Sequence, residues 1–190
     1  MIIKESFLPI NIFSRSGKIL SSMKFLVIHY TNNPRQSAKG CHEYFTLLEN
    51  QKESPDARYA SAHYIIGLNG EILQCMPEKE VAYHVGSTAL DPNSCKIYTD
   101  IKRGLCGESN PNYNSIGIEV CHSDSTGKFN QVSKESLILL ARDIVLRYKL
   151  TKNQVVRHYD IVGWKKCPKY YVDNNNDWYS LVDDIFTGVL

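Results

Sequence analysis

An α/β fold, a central mixed β-sheet flanked by α-helices, follows from three patterns in this 190-residue sequence. Ile116, Ile118 and Val120 alternate with Gly117, Glu119 and Cys121, the period-two signature of a strand that sends its aliphatic residues to one face. Leu137, Leu140, Ala141, Ile144, Val145 and Tyr148 recur at i, i+3 and i+4, which marks an amphipathic helix. Asn69-Gly70, between two strand-like runs, is the dipeptide of a tight hairpin, where both positions favour positive φ. Strands and helices interleave along the chain, and a sheet with helices packed on it buries both economically.

The elements follow in order. Apolar residues near the N-terminus are interrupted by Pro9 and Asn11 and lead to no small-residue cleavage site, so no secretory signal is predicted. Phe25 to Ile28 form a short apolar run that reads as a buried strand ending at His29. Cys41, Tyr44, Phe45 and Leu48 share a helical face, with Ser37 as the start signal. Residues 62–67 and 71–75 are the arms of the hairpin. Residues 86–115, rich in Asn, Ser, Gly, Pro and Asp, read as a long surface loop, and long loops in compact domains are often functional. After the strand at 116–120 comes the long helix, with Ser133 as its expected cap. A brief strand at 154–157 delivers His158 and a loop runs to Pro168. Trp178, Leu181, Val182, Ile185 and Phe186 mark a final amphipathic helix.

Composition bounds the function classes. With 43% hydrophobic and 22% charged residues, the chain matches one compact domain over 1–190, with its motif-bearing core at about 23–170. A formal charge of +2 gives no field that announces a nucleic-acid partner. No apolar run approaches the roughly 18 residues that a membrane-spanning helix needs, so no membrane insertion is expected. Six cysteines, at 41, 75, 95, 106, 121 and 167, include no CxxC pair and are expected to be mostly free thiols. Cys95 and Cys106 share the loop-like region, and spacing alone leaves a bridge between them open. The expected state is a monomer.

Three groups carry candidate chemistry. His29, His158 and Cys167 each stand at a strand end or in the loop that follows one. Two neutral imidazoles and a thiolate can hold one zinc ion, leave a fourth position open and keep a net positive charge for Lewis-acid work. Taken singly, each histidine reads as structural, and spacing does not pick out this trio. Glu119, on a strand among aliphatics, either faces solvent or sits in a polar cleft; facing an attacking water, it is a general base. The pair Lys165-Lys166 beside Cys167 is either a solvated turn or a source of positive charge for a developing oxyanion. A competing reading makes Cys121 or Cys167 the nucleophile of a cysteine peptidase.

Five blocks tie these residues together: FLVIHYT at 25–31, SAHYIIGLNGEILQ at 61–74, VAYHVGS at 81–87, IGIEVC at 116–121 and VRHYDIVGWKKCP at 156–168. In kind and order they resemble the zinc-dependent N-acetylmuramoyl-L-alanine amidases of the T7 lysozyme and peptidoglycan recognition protein type. Within that family the chain is most similar to catalytic domains of endolysins and autolysins of Gram-positive bacteria and their phages. The resemblance implies an amidase/peptidoglycan recognition protein-like fold and one zinc ion on His29, His158 and Cys167. It also implies that Glu119 acts on the attacking water and that Lys165 stabilises the oxyanion. The segment from His158 to Cys167, which contains Trp164, is slightly longer than the family's commonest form, so Lys166 competes with Lys165 for that role.

His84, with Tyr83, matches a position that lines the substrate groove in relatives; the alternative for His84 is a ring simply packed beside the site. His63 is assigned a structural or supporting place, and His42 and His122 neither ligate nor catalyse. The implied reaction is hydrolysis of the amide between N-acetylmuramic acid and L-alanine in bacterial peptidoglycan, the one partner expected. The runner-up is a module that binds peptidoglycan without cleaving it. Without a secretory signal, such a protein is made in the cytoplasm and reaches the wall through lysis or another export route.

Overall fold

A computed structural model describes residues 1–85 and 110–188. Among them, six strands form one sheet: β1 (Ile3–Glu5), β2 (Phe25–Tyr30), β3 (Tyr64–Ile66), β4 (Ile72–Gln74), β5 (Ser115–Val120) and β6 (Val155–Arg157), in the order β1-β4-β3-β5-β2-β6. Only β3 and β4 pair antiparallel; every other neighbour is parallel, so the sheet is mixed, as predicted. The helices are α1 (Ala38–Leu47), α2 (Gln131–Tyr148), α3 (His158–Val162), α4 (Lys169–Asp173) and α5 (Asn175–Phe186). None is long and apolar enough to cross a membrane.

Alternation along β2 and β5 divides the sheet into two faces. Leu26, Ile28, Ile116, Ile118 and Val120 are buried with Leu137, Leu140, Ile144, Leu181 and Ile185, under α2 and α5. On the opposite face, Val27 and Val156 pack with Ile161 and Val162 of α3, while Ile65 and Leu73 pack with Cys41 and Phe45 of α1. The register pairs His29 with Glu119 and Ile28 with Ile118. Partners in register share a face, so His29 and Glu119 lie together on the α1/α3 side.

The hairpin holds with one correction. Gly67 N–H donates to Glu71 O at 2.9 Å and Gly70 N–H to Gly67 O at 3.0 Å, and only Gly70 is left-handed (φ +80). This is a three-residue loop with glycine at its left-handed position, so Asn69 needs no positive φ. A Cβ on Gly70 would meet Ser136 Oγ at 2.7 Å, because the hairpin tip rests on α2.

That contact also corrects the cap of α2. Ser133 is buried and donates to Gly67 O, whereas Asn130 Oδ1 accepts from Ser133 N–H at 2.9 Å and caps the helix. Ser37 caps α1 as expected, but the buried stripe is Ala38, Cys41 and Phe45; Tyr44 is 42% exposed.

Short elements with few apolar positions were not predicted. β1 joins the sheet edge through Ile3 opposite Ile72. β2 runs through His29 to Tyr30 rather than ending at His29. The expected loop between His158 and Pro168 begins as α3, because Asp160 Oδ2 accepts from Arg157 N–H and Gly163 (φ +78) ends the helix. The Arg157 guanidinium grips Asp160, Tyr171 O and Asn175 Oδ1, joining α3 to α4 and α5. Of the loop expected at 86–115, residues 86–109, with Cys95 and Cys106, lie outside the described residues. In the described remainder, a 3-10 turn at Pro111–Tyr113 leads into β5 at Ser115.

Lys149 ends α2 in the left-handed region (φ 54, ψ 42), a conformation that costs a side chain with a Cβ and costs glycine little. Lys149→Gly is expected to raise the unfolding free energy by about 0.5–1 kcal/mol. A urea titration reads this, and an unchanged or lower midpoint would contradict the assigned cap.

Candidate metal centre and groove

The parallel strands β2, β5 and β6 end side by side, and ligands of open α/β sheets collect beyond such carboxyl ends. His29 lies near the end of β2, His158 directly follows β6, and Cys167 comes back past α3, where its carbonyl accepts from Tyr159 N–H. His29 Nδ1 is 3.1 Å from His158 Nδ1 and 3.7 Å from Cys167 Sγ, and the three donor atoms lie within 4.8 Å of one another. Tetrahedral zinc, with bonds of about 2.0–2.1 Å to nitrogen and about 2.3 Å to sulfur, needs its nitrogens about 3.3 Å apart and nitrogen from sulfur about 3.6 Å. The two separations from His29 match these values and the third lies within 4.8 Å, so the donor set can close on one zinc ion.

Protonation agrees with that fit. Burial holds His29 well below the usual imidazole range, with His158, His84 and Lys165 adding to the effect, and burial with Lys165 lowers His158 to about 3. Both rings are therefore neutral, and a neutral imidazole can ligate a metal. Burial pushes the Cys167 thiol up to about 12, the Glu119 charge adding to it, while the Tyr30 amide donates to the sulfur. Only a nearby cation would make thiolate available there at neutral pH. The same burial raises Cys121 to about 12, so neither cysteine has the low-pKa, accessible setting that a nucleophile needs.

Glu119 stands beside this trio. The residue keeps some surface at the groove, yet Oε2 is buried and has no hydrogen-bond partner among the described residues. Burial pushes its carboxyl up to about 8, with Lys165 pulling the other way. Glu119, His158, Lys165, Trp164, Tyr83 and His84 all line one open groove of about 980 Å³, which Tyr44 and Arg58 also line. Lys166 is turned away and pairs with Asp173 at 2.6 Å. Of the two lysines, only Lys165 reaches the groove.

The other histidines separate cleanly. His63 is fully buried: its Nε2–H donates to Glu80 O and its Nδ1 accepts from Gly117 N–H, which fixes a structural ring. His42 meets Ser6 O, and His122 meets Asp124 O, both away from the trio. His84 lines the groove, but its Nδ1 is 3.0 Å from His29 Nε2 and its Nε2 is 3.2 Å from Ser115 Oγ. Ser115 and Gly117 were not singled out in the sequence. The available signal was Gly117 itself, since glycine inside a strand often marks a close approach.

Comparison with known proteins places this fold first in a class. A solved structure described as a mutant endolysin from Bacillus subtilis superposes with a TM-score of 0.68 at 22% identity, over 97% of this chain and 99% of that one. The two proteins thus share a fold. Residues 20–170 match the family described as N-acetylmuramoyl-L-alanine amidase, and the chain belongs to that family. It is 32% identical over 174 residues to the N-acetylmuramoyl-L-alanine amidase CwlL of Bacillus licheniformis, covering 90% of this chain and 43% of that protein. It is 30% identical over 182 residues to the amidase BlyA of Bacillus subtilis (strain 168), covering 92% of this chain and 44% of that protein. The chain thus spans less than half the length of these relatives.

The buried groups fix how stability depends on pH. His29, His63, His84 and His158 all have lowered pKa values in the folded state, so the unfolded chain takes up protons that the fold refuses as pH drops below about 6.5. Their contribution is whole above that pH and is lost as pH falls. Glu119 is raised, so its contribution is whole below about 4.5 and is lost as pH climbs through about 8. Stability of the metal-free chain should therefore peak near neutrality. In Glu119→Gln the alkaline decline should flatten and the acid decline persist; an alkaline limb unchanged by the substitution would refute the assignment.

Proposed function

We propose that the chain hydrolyses the amide bond between N-acetylmuramic acid and the L-alanine of the stem peptide in bacterial peptidoglycan. One zinc ion would be held by His29, His158 and Cys167. The observation that carries this reading is the three-donor centre beside Glu119, whose Oε2 has no hydrogen-bond partner among the described residues, and Lys165 on the wall of one groove. Bound zinc supplies Lewis-acid polarisation at the scissile carbonyl.

The chain's own groups do the rest. Glu119 takes a proton from the attacking water as the water oxygen bonds to the carbonyl carbon. A carboxyl raised toward neutrality both accepts that proton and returns it, and the positive charge of zinc would favour the carboxylate needed first. As the carbon–nitrogen bond breaks, Glu119 gives the same proton to the departing alanine nitrogen. Lys165, on the groove wall, sets its ammonium against the oxyanion that forms between the two steps. Tyr83 and His84 supply wall against which the substrate lies, and the aromatic rim of Tyr59, stacked edge-on to Tyr83 with centroids 5.8 Å apart, suits a sugar or peptide face. The partner is the wall polymer, and the working unit is a monomer.

The test is muropeptide release from purified cell walls, before and after chelation and zinc restoration, with mass analysis of the fragments. Zinc-restored release of stem peptides beginning with L-alanine supports the reading. Wall binding without release would replace it with a recognition module, and chelator-resistant cleavage inside the peptide would point to a cysteine enzyme. Glu119→Gln is expected to keep its zinc and lose about 10²-fold or more in turnover. Loss of zinc together with activity would instead make Glu119 a ligand or structural group.

A further inference from the structure

We propose that His84 is a positioning residue for His29: held by Ser115 and admitted by Gly117, it locks His29 as the Nε2–H tautomer with the Nδ1 lone pair turned toward His158 and Cys167. The proposal rests on the reading of those three residues as the metal centre.

The assignment runs along one hydrogen-bond chain. Ser115 Oγ has a single hydrogen, which it donates to Pro111 O at 2.6 Å, a carbonyl that can only accept. At 3.2 Å from His84 Nε2, the same oxygen must then accept, so His84 carries its proton on Nε2 and leaves Nδ1 bare. His84 Nδ1, 3.0 Å from His29 Nε2, accepts in turn and places the His29 proton on Nε2. His29 Nδ1 is left unprotonated on the side of His158 and Cys167. The 3.1 Å contact between the two Nδ1 atoms needs one proton, and with His29 Nδ1 bare it belongs to His158.

The scaffold is built around this chain. Asn112 Oδ1 accepts from both His84 N–H and Val85 N–H, at 3.0 and 2.8 Å, which fixes the backbone that carries the ring. The His84 ring lies edge-on to His29, with centroids 5.1 Å apart. Across it, a Cβ on Gly117 would stand 2.6 Å from His84 Cγ and Nδ1, so any side chain at 117 would expel the ring. A histidine ligand whose second nitrogen is held has its tautomer and ring plane set before the metal arrives.

Long-range proton–nitrogen NMR of the imidazoles in the full chain, zinc-loaded and chelated, reads the tautomers directly; a competing chromophoric chelator reads zinc affinity. In the chelated wild type, His29 should be purely Nε2–H and His158 Nδ1–H. His84→Leu should mix the His29 tautomers and weaken zinc about 10–100-fold. His84→Asn, whose Oδ1 replaces the accepting Nδ1, should restore most of both, while Gly117→Ala should behave like His84→Leu with the histidine still present. A wild-type His29 protonated on Nδ1 overturns the proposal, as does a His84→Leu chain with unchanged tautomer and affinity. If no variant binds zinc, wild type included, yet the tautomer pattern follows the prediction, the positioning role stands and the metal reading falls.

Discussion

The arrangement depends on β2 being paired on both sides by parallel neighbours that stop at nearly the same level. Pairing with β5 sets His29 level with Glu119, and pairing with β6 carries Arg157 opposite Ile28, so that His158 emerges next to the His29 ring. A shift of one residue in either register would turn a site group toward the α2 side and bury it among leucines and isoleucines. The apolar face prevents that slip, because Ile28 and Ile118 would then lose their places under α2. Precision at the site is thus enforced by hydrophobic packing on the other side of the same sheet.

The site gathers histidine, cysteine and carboxylate donors where water is largely excluded, which is costly for every charged form. The fold manages this by keeping most of the groups neutral and their polar atoms engaged. His63 is bonded at both nitrogens, His84 at both, and Cys167 receives an amide. Glu119 Oε2 is the exception at the centre, a buried oxygen without a hydrogen-bond partner among the described residues. An unsatisfied polar atom beside three convergent donors is the mark of a place shaped for something other than protein.

Much of this was legible in the sequence because it rests on periodicity. Alternation along 116–120 separated Glu119 from the aliphatics, and the helical stripe of α2 was plain. The hairpin was plain from Asn69-Gly70, although only Gly70 takes the left-handed conformation. What sequence could not deliver depended on contacts between distant segments. Ser133 looked like a cap and proved to be bound to Gly67, 66 residues away. Lys165 and Lys166 were indistinguishable until Asp173 claimed one of them. β1, α3 and α4 are too short to show a period, and their stability comes from pairing with β4 and from the Arg157 network. Ser115 and Asn112 carried no signal, since a hydroxyl and an amide in a polar stretch are ordinary.

Gly117 sets a limit on how this domain can be improved. Glycine within a strand weakens it by roughly 0.5–1 kcal/mol relative to alanine, so a scheme that scores strand propensity would place valine or isoleucine at 117, matching the aliphatics around it. Such a chain would gain local strand preference and lose the space that the His84 ring occupies. Strand preference and room for the His84 ring oppose each other at this position, and libraries built for robustness should hold it fixed while they vary the α2 side of the same strand.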